Sequence, residues 1–112
     1  MEHKHSLVIP PHFDGNNYAY WKVRMKAFLK SIDERVWNSV EYRWEKPTTP
    51  VSEWKNSQKE VDAFNSKVVN VIFNAVFIKE FKKISNIKVA HTAWNILQTV
   101  HEGTKTVKVN KL

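Results

Sequence analysis

Apolar residues recur at steps of three and four through most of the chain, the period of a helix with one buried face. Tyr18, Trp21, Met25, Phe28, Leu29 and Ile32 form the first such stripe, so a helix is expected over 18–32. Before it, Asp14-Gly15-Asn16-Asn17 reads as a turn in which either asparagine can cap the helix. Upstream, Ser6-Leu7-Val8-Ile9-Pro10-Pro11 ends in two prolines. Their fixed φ, and the extended geometry forced on the preceding residue, make residues 1–12 an extended arm.

A short second helix is expected over 33–40, with Val36, Trp37 and Val40 apolar and with Ser31 and Glu34 spaced as a capping box. Residues 41–51 contain Pro47, Pro50 and two threonines and read as an irregular loop. Ser52 then stands where it could cap a long helix whose stripe runs Val61, Phe64, Val68, Val71 or Ile72, and Ala75. Lys59, Ser66, Lys67, Asn70 and Asn74 take its other faces. A fourth helix over 78–84 would bury Ile78, Phe81 and Ile84. A fifth, from about 89 to 102, would turn Ala90, Trp94, Leu97 and Val100 inward and stop at Gly103. Residues 104–112 begin one more helical segment with Val107 as its apolar contact. No alternating strand pattern and no internal repeat competes, so the fold expected is all-α: a compact bundle of about five helices plus an incomplete sixth segment, over residues 13–112.

The aromatic run FDGNNYAYW at 13–21 raises a choice between a ligand-stacking platform and a core. Tyr18 and Trp21 share their stripe with Met25 and Phe28, and aromatics at helical spacing pack, so the core is the expectation. Phe13, Tyr18, Trp21, Phe28, Phe64, Trp94 and Leu97 are taken as core anchors. On the far side of the same helix Ala19, Tyr20, Val23 and Ala27 make a second apolar face. A helix apolar on two sides is either sandwiched in its own domain or offers a surface to another chain, and both readings stand. Tyr20, Val23 and Ala27 are the candidate self-association face.

Composition narrows the function. The chain has 112 residues, 42% of them hydrophobic and 26% charged, which suits one globular domain and not a disordered one. Lacking cysteine, it can form no disulfide, thiol nucleophile or thiolate zinc site. No apolar segment approaches the length of a membrane span, and no signal-peptide core follows the N-terminus, so an intracellular, cytoplasmic protein without membrane contact is expected.

The net charge of +7 makes a polyanion a plausible partner. Lys22, Lys26 and Lys30 repeat every four residues, and Lys105, Lys108 and Lys111 every three. Both rows are candidate RNA contacts, although lysines that merely keep a helix soluble make the same pattern. No catalytic constellation emerges. His3 and His5 lie near the N-terminus, and His12 stands alone. His91 and His101 are nearly three helical turns apart, too far to share a metal. Both glycines are isolated, so there is no phosphate loop. No enzyme activity, metal, cofactor or small-molecule substrate is expected.

FDGNNYAYWKVRMKAFLKS resembles the opening of the Gag polyprotein of copia-type LTR retrotransposons, the plant ones especially, in which a Phe-Asp-Gly turn leads through Asn-Tyr and Trp into a basic-apolar helix. EFKKISN and then KVAHTAWNILQTVHEGTKTVKVNKL resemble that family's Ala-x-x-Ala-Trp helix, its Glu-Gly-Thr and its Val-Lys…Lys-Leu segment. WEKPT and NVIFNAVF fall where the family has similar runs, so the likeness covers residues 13–112.

The resemblance implies a structural, capsid N-terminal-domain-like protein that self-associates into a particle packaging element RNA. It also implies a domain continued by further helices and a Cys/His zinc knuckle beyond Leu112. Two alternatives remain, a small basic nucleic-acid-binding module and a truncated, host-retained Gag copy without assembly activity. Where the family has a capping box, this chain has Val89 and Thr92, so the fifth helix is expected to begin less firmly. Residues 32–40 also carry more charge than the family's corresponding short segment.

Overall fold

In the computed structural model, which describes residues 9–103, the chain is all-α. Five helices follow in order: α1 Tyr18–Ile32, α2 Glu34–Glu41, α3 Asn56–Asn74, α4 Ile78–Ile84 and α5 Ala90–Glu102, with a single 3-10 turn at Val51–Glu53. The expected segment 104–112, the contact at Val107, and residues 1–8 of the arm lie outside the described residues.

The core is one cluster to which all five helices contribute, α2 through Val36, Trp37 and Val40 and α4 through Ile84. Phe13, Tyr18, Trp21, Met25 and Leu29 enter it from the first third of the chain, Val68 and Ile72 from α3, and Ala93, Trp94 and Leu97 from α5. Its centre is aromatic. Trp94 stacks on Trp21 at 5.7 Å between ring centroids and receives Trp37 edge-on at 5.3 Å. Phe28 and Phe64 sit partly buried at the margin of the cluster. Several stripe positions turn outward instead of in. Ile32 ends α1 at 38% exposure, Val61 is 41% exposed, Ile78 66% and Val100 48%. Ile32, Ile78 and Val100 lie in the first or last turn of their helices, and Val61 borders the loop that follows α2.

Phe13 ties the N-terminal segment to the far end of α3. Its N–H donates to the Ala75 carbonyl at 2.7 Å, and its own carbonyl accepts from Phe77 N–H at 3.0 Å. Among the described residues this is an isolated parallel bridge and no strand forms. The Trp21 indole adds a bond to the Pro11 carbonyl at 2.9 Å. Gly15 is needed in the turn between, at φ 101.

The helix starts depart most from what the sequence suggested. Asn17 is the N-cap of α1 but takes a left-handed backbone and makes no side-chain cap, while Asp14 Oδ1 accepts from Asn16 N–H at 2.9 Å within the turn. At α2 the cap is Asp33, which accepts from Arg35 N–H at 2.8 Å, and Ser31 instead donates its hydroxyl to Phe28 O. The Arg35 guanidinium grips the Asp33 carboxylate and reaches Glu60 on α3 at 3.1 Å. Those hydrogen bonds hold the Asp33 carboxyl at about 2. Ser52 caps nothing: it sits in the 3-10 turn, and α3 begins after Lys55, whose N–H is accepted by Gln58 Oε1 at 2.7 Å.

The start of α5 is the clearest correction. Its N-cap Val89 has no capping side chain, as the sequence indicates, yet the turn is not loose. Asn65, buried at 3% exposure on α3, accepts from Ala90 N–H at 2.8 Å and donates to Lys88 O at 2.8 Å. A side chain from another helix thus does what a local capping box would do. Farther along, His91 Nδ1 meets the Val40 carbonyl at 2.7 Å and Nε2 meets Asn95 Nδ2 at 3.0 Å, partners that suit a proton on Nδ1. His91 therefore pins α5 to the end of α2.

Two variants test this. Asn65→Ala strands a buried N–H and a carbonyl and is expected to cost about 1–3 kcal/mol, read as a lower urea midpoint with an unchanged slope. Trp94→Ala, which empties the centre of the aromatic cluster, is expected to cost more, about 3–5 kcal/mol.

Candidate interaction surfaces

With Tyr18, Trp21, Met25 and Leu29 buried, the opposite side of α1 faces solvent. Tyr20 is 74% and Val23 66% exposed, and Ala19 and Ala27 are also exposed. The second apolar face is therefore not sandwiched within the domain. It continues onto another element that sequence reasoning did not connect to it. Tyr20 and Phe77 line a shallow hollow of about 310 Å³ with His12, Asp14 and Arg24, and the His12 and Phe77 rings lie 4.5 Å apart. The backbone bridge of Phe13 to Ala75 and Phe77 brings the α3–α4 link beside this face, a pairing without a local signal.

The first lysine row is split by its partners. Lys22 turns toward α5 and meets both carboxylate oxygens of Glu102 at 3.0 Å. Lys26 lies over the Trp37 ring at 5.1 Å, and Lys30 stands 4.0 Å from Glu34. Lys22 is thus committed to holding α1 against α5, which a phosphate could take over only by breaking that pair. Lys105, Lys108 and Lys111 lie outside the described residues.

One polar cluster escaped the sequence entirely. Glu80 on α4 is 1% exposed, and its Oε1 accepts from His101 Nε2 at 2.6 Å and from Lys83 Nζ at 3.1 Å. Phe13 meets the His101 ring edge-on at 4.8 Å and Tyr18 stacks on it at 5.4 Å. A Cβ on Gly15 would come within 3.2 Å of Glu80 Oε2, a tight contact added to the strain that its φ would impose on any other residue. Glu80 and Lys83 share a helix face, but nothing local marks the carboxylate as buried or joins it to a histidine on another helix. A buried carboxylate held by two cationic or donor groups is a structural tie between α4 and α5. Among the described residues no group of three or more His, Cys, Asp or Glu side chains could hold a metal ion.

The electrostatics follow from burial. Desolvation pushes the Glu80 carboxyl up, and the hydrogen bonds and charges of His101 and Lys83 more than offset it, leaving it below its ordinary 4.5. For Tyr18, burial pushes the phenol well up and the negative charge of Glu102 adds to the shift. The Tyr18 hydroxyl is buried without a hydrogen-bond partner among the described residues. It therefore stays neutral, and its ring is what it contributes.

No helix among the described residues is long and apolar enough to cross a membrane. No protein-family model matches the chain, and no curated protein or solved structure matches it either.

A pH dependence follows from Glu80. Because its folded pKa is depressed, its contribution to stability is complete above the unfolded value of 4.5 and is lost as pH falls through the folded value. The wild type is expected to lose stability below pH 4.5, and Glu80→Gln to lose less over the same interval. Thermal melts of the two proteins across that range measure the difference; parallel pH profiles would remove Glu80 from the linkage.

Proposed function

We propose that this chain is a structural, capsid-like Gag domain of a copia-type retrotransposon, which self-associates through the outward face of α1 into a particle around element RNA. The observation that carries the reading is the exposure of Tyr20 and Val23 on a helix whose other side is core. Order and spacing of the Gag-like motifs over residues 13–112 add to it. A shell needs many weak, repeated contacts, and small apolar patches on a rigid helix suit that need. Phe77 and Ile78, at 51% and 66% exposure, widen the apolar surface at the α3–α4 link. The role proposed is intracellular and assigns no catalytic chemistry. A basic nucleic-acid-binding module is the second reading, favoured by the net charge of +7.

The test is Tyr20→Lys combined with Val23→Lys. Substitutions at exposed positions shift stability by about 0.5 kcal/mol or less, so the variant is expected to fold. In an interface the same changes bury unpaired charge, which a weak contact does not survive. Sedimentation at rising concentration is expected to show oligomers of the wild type and a monomeric variant. Equal association of both proteins would remove this face from any assembly role.

A further inference from the structure

A hollow of about 540 Å³ opens between the loop after α2, the flank of α3 and the α4–α5 connection. Trp44 forms one wall, and the same tryptophan lines a second hollow of about 220 Å³ with Tyr42 and Arg43. Its ring is held from two sides. The indole N–H donates to Asp62 Oδ1 at 3.0 Å, and Trp54 meets it at 77° with centroids 6.1 Å apart. Trp54 is in turn buried and bonded to the Thr49 carbonyl at 3.0 Å. The result is a half-buried, positionally fixed aromatic ring bordering two hollows, in a loop whose sequence Tyr42-Arg43-Trp44-Glu45-Lys46 interleaves aromatic and basic residues.

The charges around it differ from those on α1. Lys46 and Lys88 line the first hollow and Arg43 the second; all three are exposed, and none makes an ion pair among the described residues. Against them stand Glu45 in the loop, Glu60 in the second hollow, which pairs with Arg35, and Asp62, whose carboxylate is already engaged by the indole. Asn70 and Asn86 also line the larger hollow and offer amide donors and acceptors. A ligand that satisfies this arrangement has a flat π-face, hydrogen-bonding edges and negative charge on either side of the ring.

We propose that the Trp44 groove binds nucleotide units of single-stranded nucleic acid, with a base stacked at Trp44 and the flanking phosphates held by Lys46, Lys88 and Arg43. Stacking on a protein ring requires an open base face, which a duplex does not present. A free nucleotide shares the chemistry, but only a strand supplies successive phosphates to cations that serve both hollows. This site is on a different element from the Tyr20 face and does not rest on the self-association reading.

The test is a titration of a labelled single-stranded octauridylate with the full chain, followed by fluorescence anisotropy. Saturable binding is expected, weakened roughly 5- to 150-fold by Trp44→Ala, the range for losing one stacked base. Trp44→Phe keeps a ring and is expected to retain most of the affinity. Lys46→Glu with Lys88→Glu is expected to reduce the slope of log affinity against log salt by about 1.4, two phosphates' worth for a single strand. The lysine pair leaves the ring's supports intact, so it tests the site even where Trp44→Ala lowers stability. Duplex RNA binding as tightly as the single strand would overturn the proposal, and so would unchanged affinity in the Trp44→Phe, Trp44→Ala and lysine variants alike. Displacement by uridine monophosphate at the same concentration as by unlabelled octamer would overturn the strand in favour of the free nucleotide. Sedimentation of the lysine variant like the wild type is expected throughout, which keeps this outcome separate from that of the Tyr20 face.

Discussion

The amide of Asn65 holds the first turn of α5, and α5 is the helix against which each of the other four packs. A helix N-terminus carries N–H groups with no partner inside the helix, and a buried one must find partners elsewhere. Val89 cannot supply them, so α3 does, through one side chain that both accepts from Ala90 and donates to Lys88. The position of α5 along α3 is thereby set to within a hydrogen bond. Trp94 is brought over Trp21 and under the edge of Trp37 as a consequence.

The other end of α5 is held by charge instead of an amide. Lys22 reaches Glu102 from α1, and Glu80 reaches His101 from α4. These ties differ in kind. The Lys22 pair is partly open to water and is worth little by itself, whereas Glu80 has been taken out of water altogether and depends on its partners. Phe13 lies against the same histidine while its backbone bridges Ala75 and Phe77. The N-terminal segment, the α3–α4 link and the last turns of α5 consequently meet around one buried carboxylate. The same folding brings Phe77 out beside Tyr20, so the external apolar face and the internal polar cluster are two sides of one junction.

The basic character of the chain is divided by this packing. Lys22, Lys26 and Lys30 on α1 have intramolecular partners, whereas Lys46, Lys88 and Arg43 border the hollows at Trp44 without an ion pair among the described residues. A count of lysines along one helix therefore misjudges where an anion would be met, because a long flexible side chain serves whichever carboxylate or ring the fold puts within reach.

Helix type and order were legible in the sequence because apolar spacing reports a period, and α1, α4 and α5 lie within a residue of where that spacing puts them. So was the inward aim of Tyr18 and Trp21, together with the outward aim of Tyr20 and Val23, since both are angular positions on one helix. The groups that cap the helices were not. Ser52, Ser31 and Asn17 each have a residue type that caps, but a cap depends on backbone geometry a few degrees of which redirect the oxygen; Asp33 caps α2 instead of Ser31, Gln58 reaches back only to the N–H of Lys55 at α3, and Asn17 stands at the N-cap of α1 without a side-chain bond. Asn65 looks in sequence like any polar residue of an amphipathic helix, and Glu80 like a solvent-facing acid beside a lysine. What made the one a cap and the other a buried tie was the arrival of Ala90 and His101 from remote parts of the chain. Periodicity is a property of neighbours along the chain and can be read there. The partner of a buried polar group is a property of neighbours in space, and only the packed helices decide it.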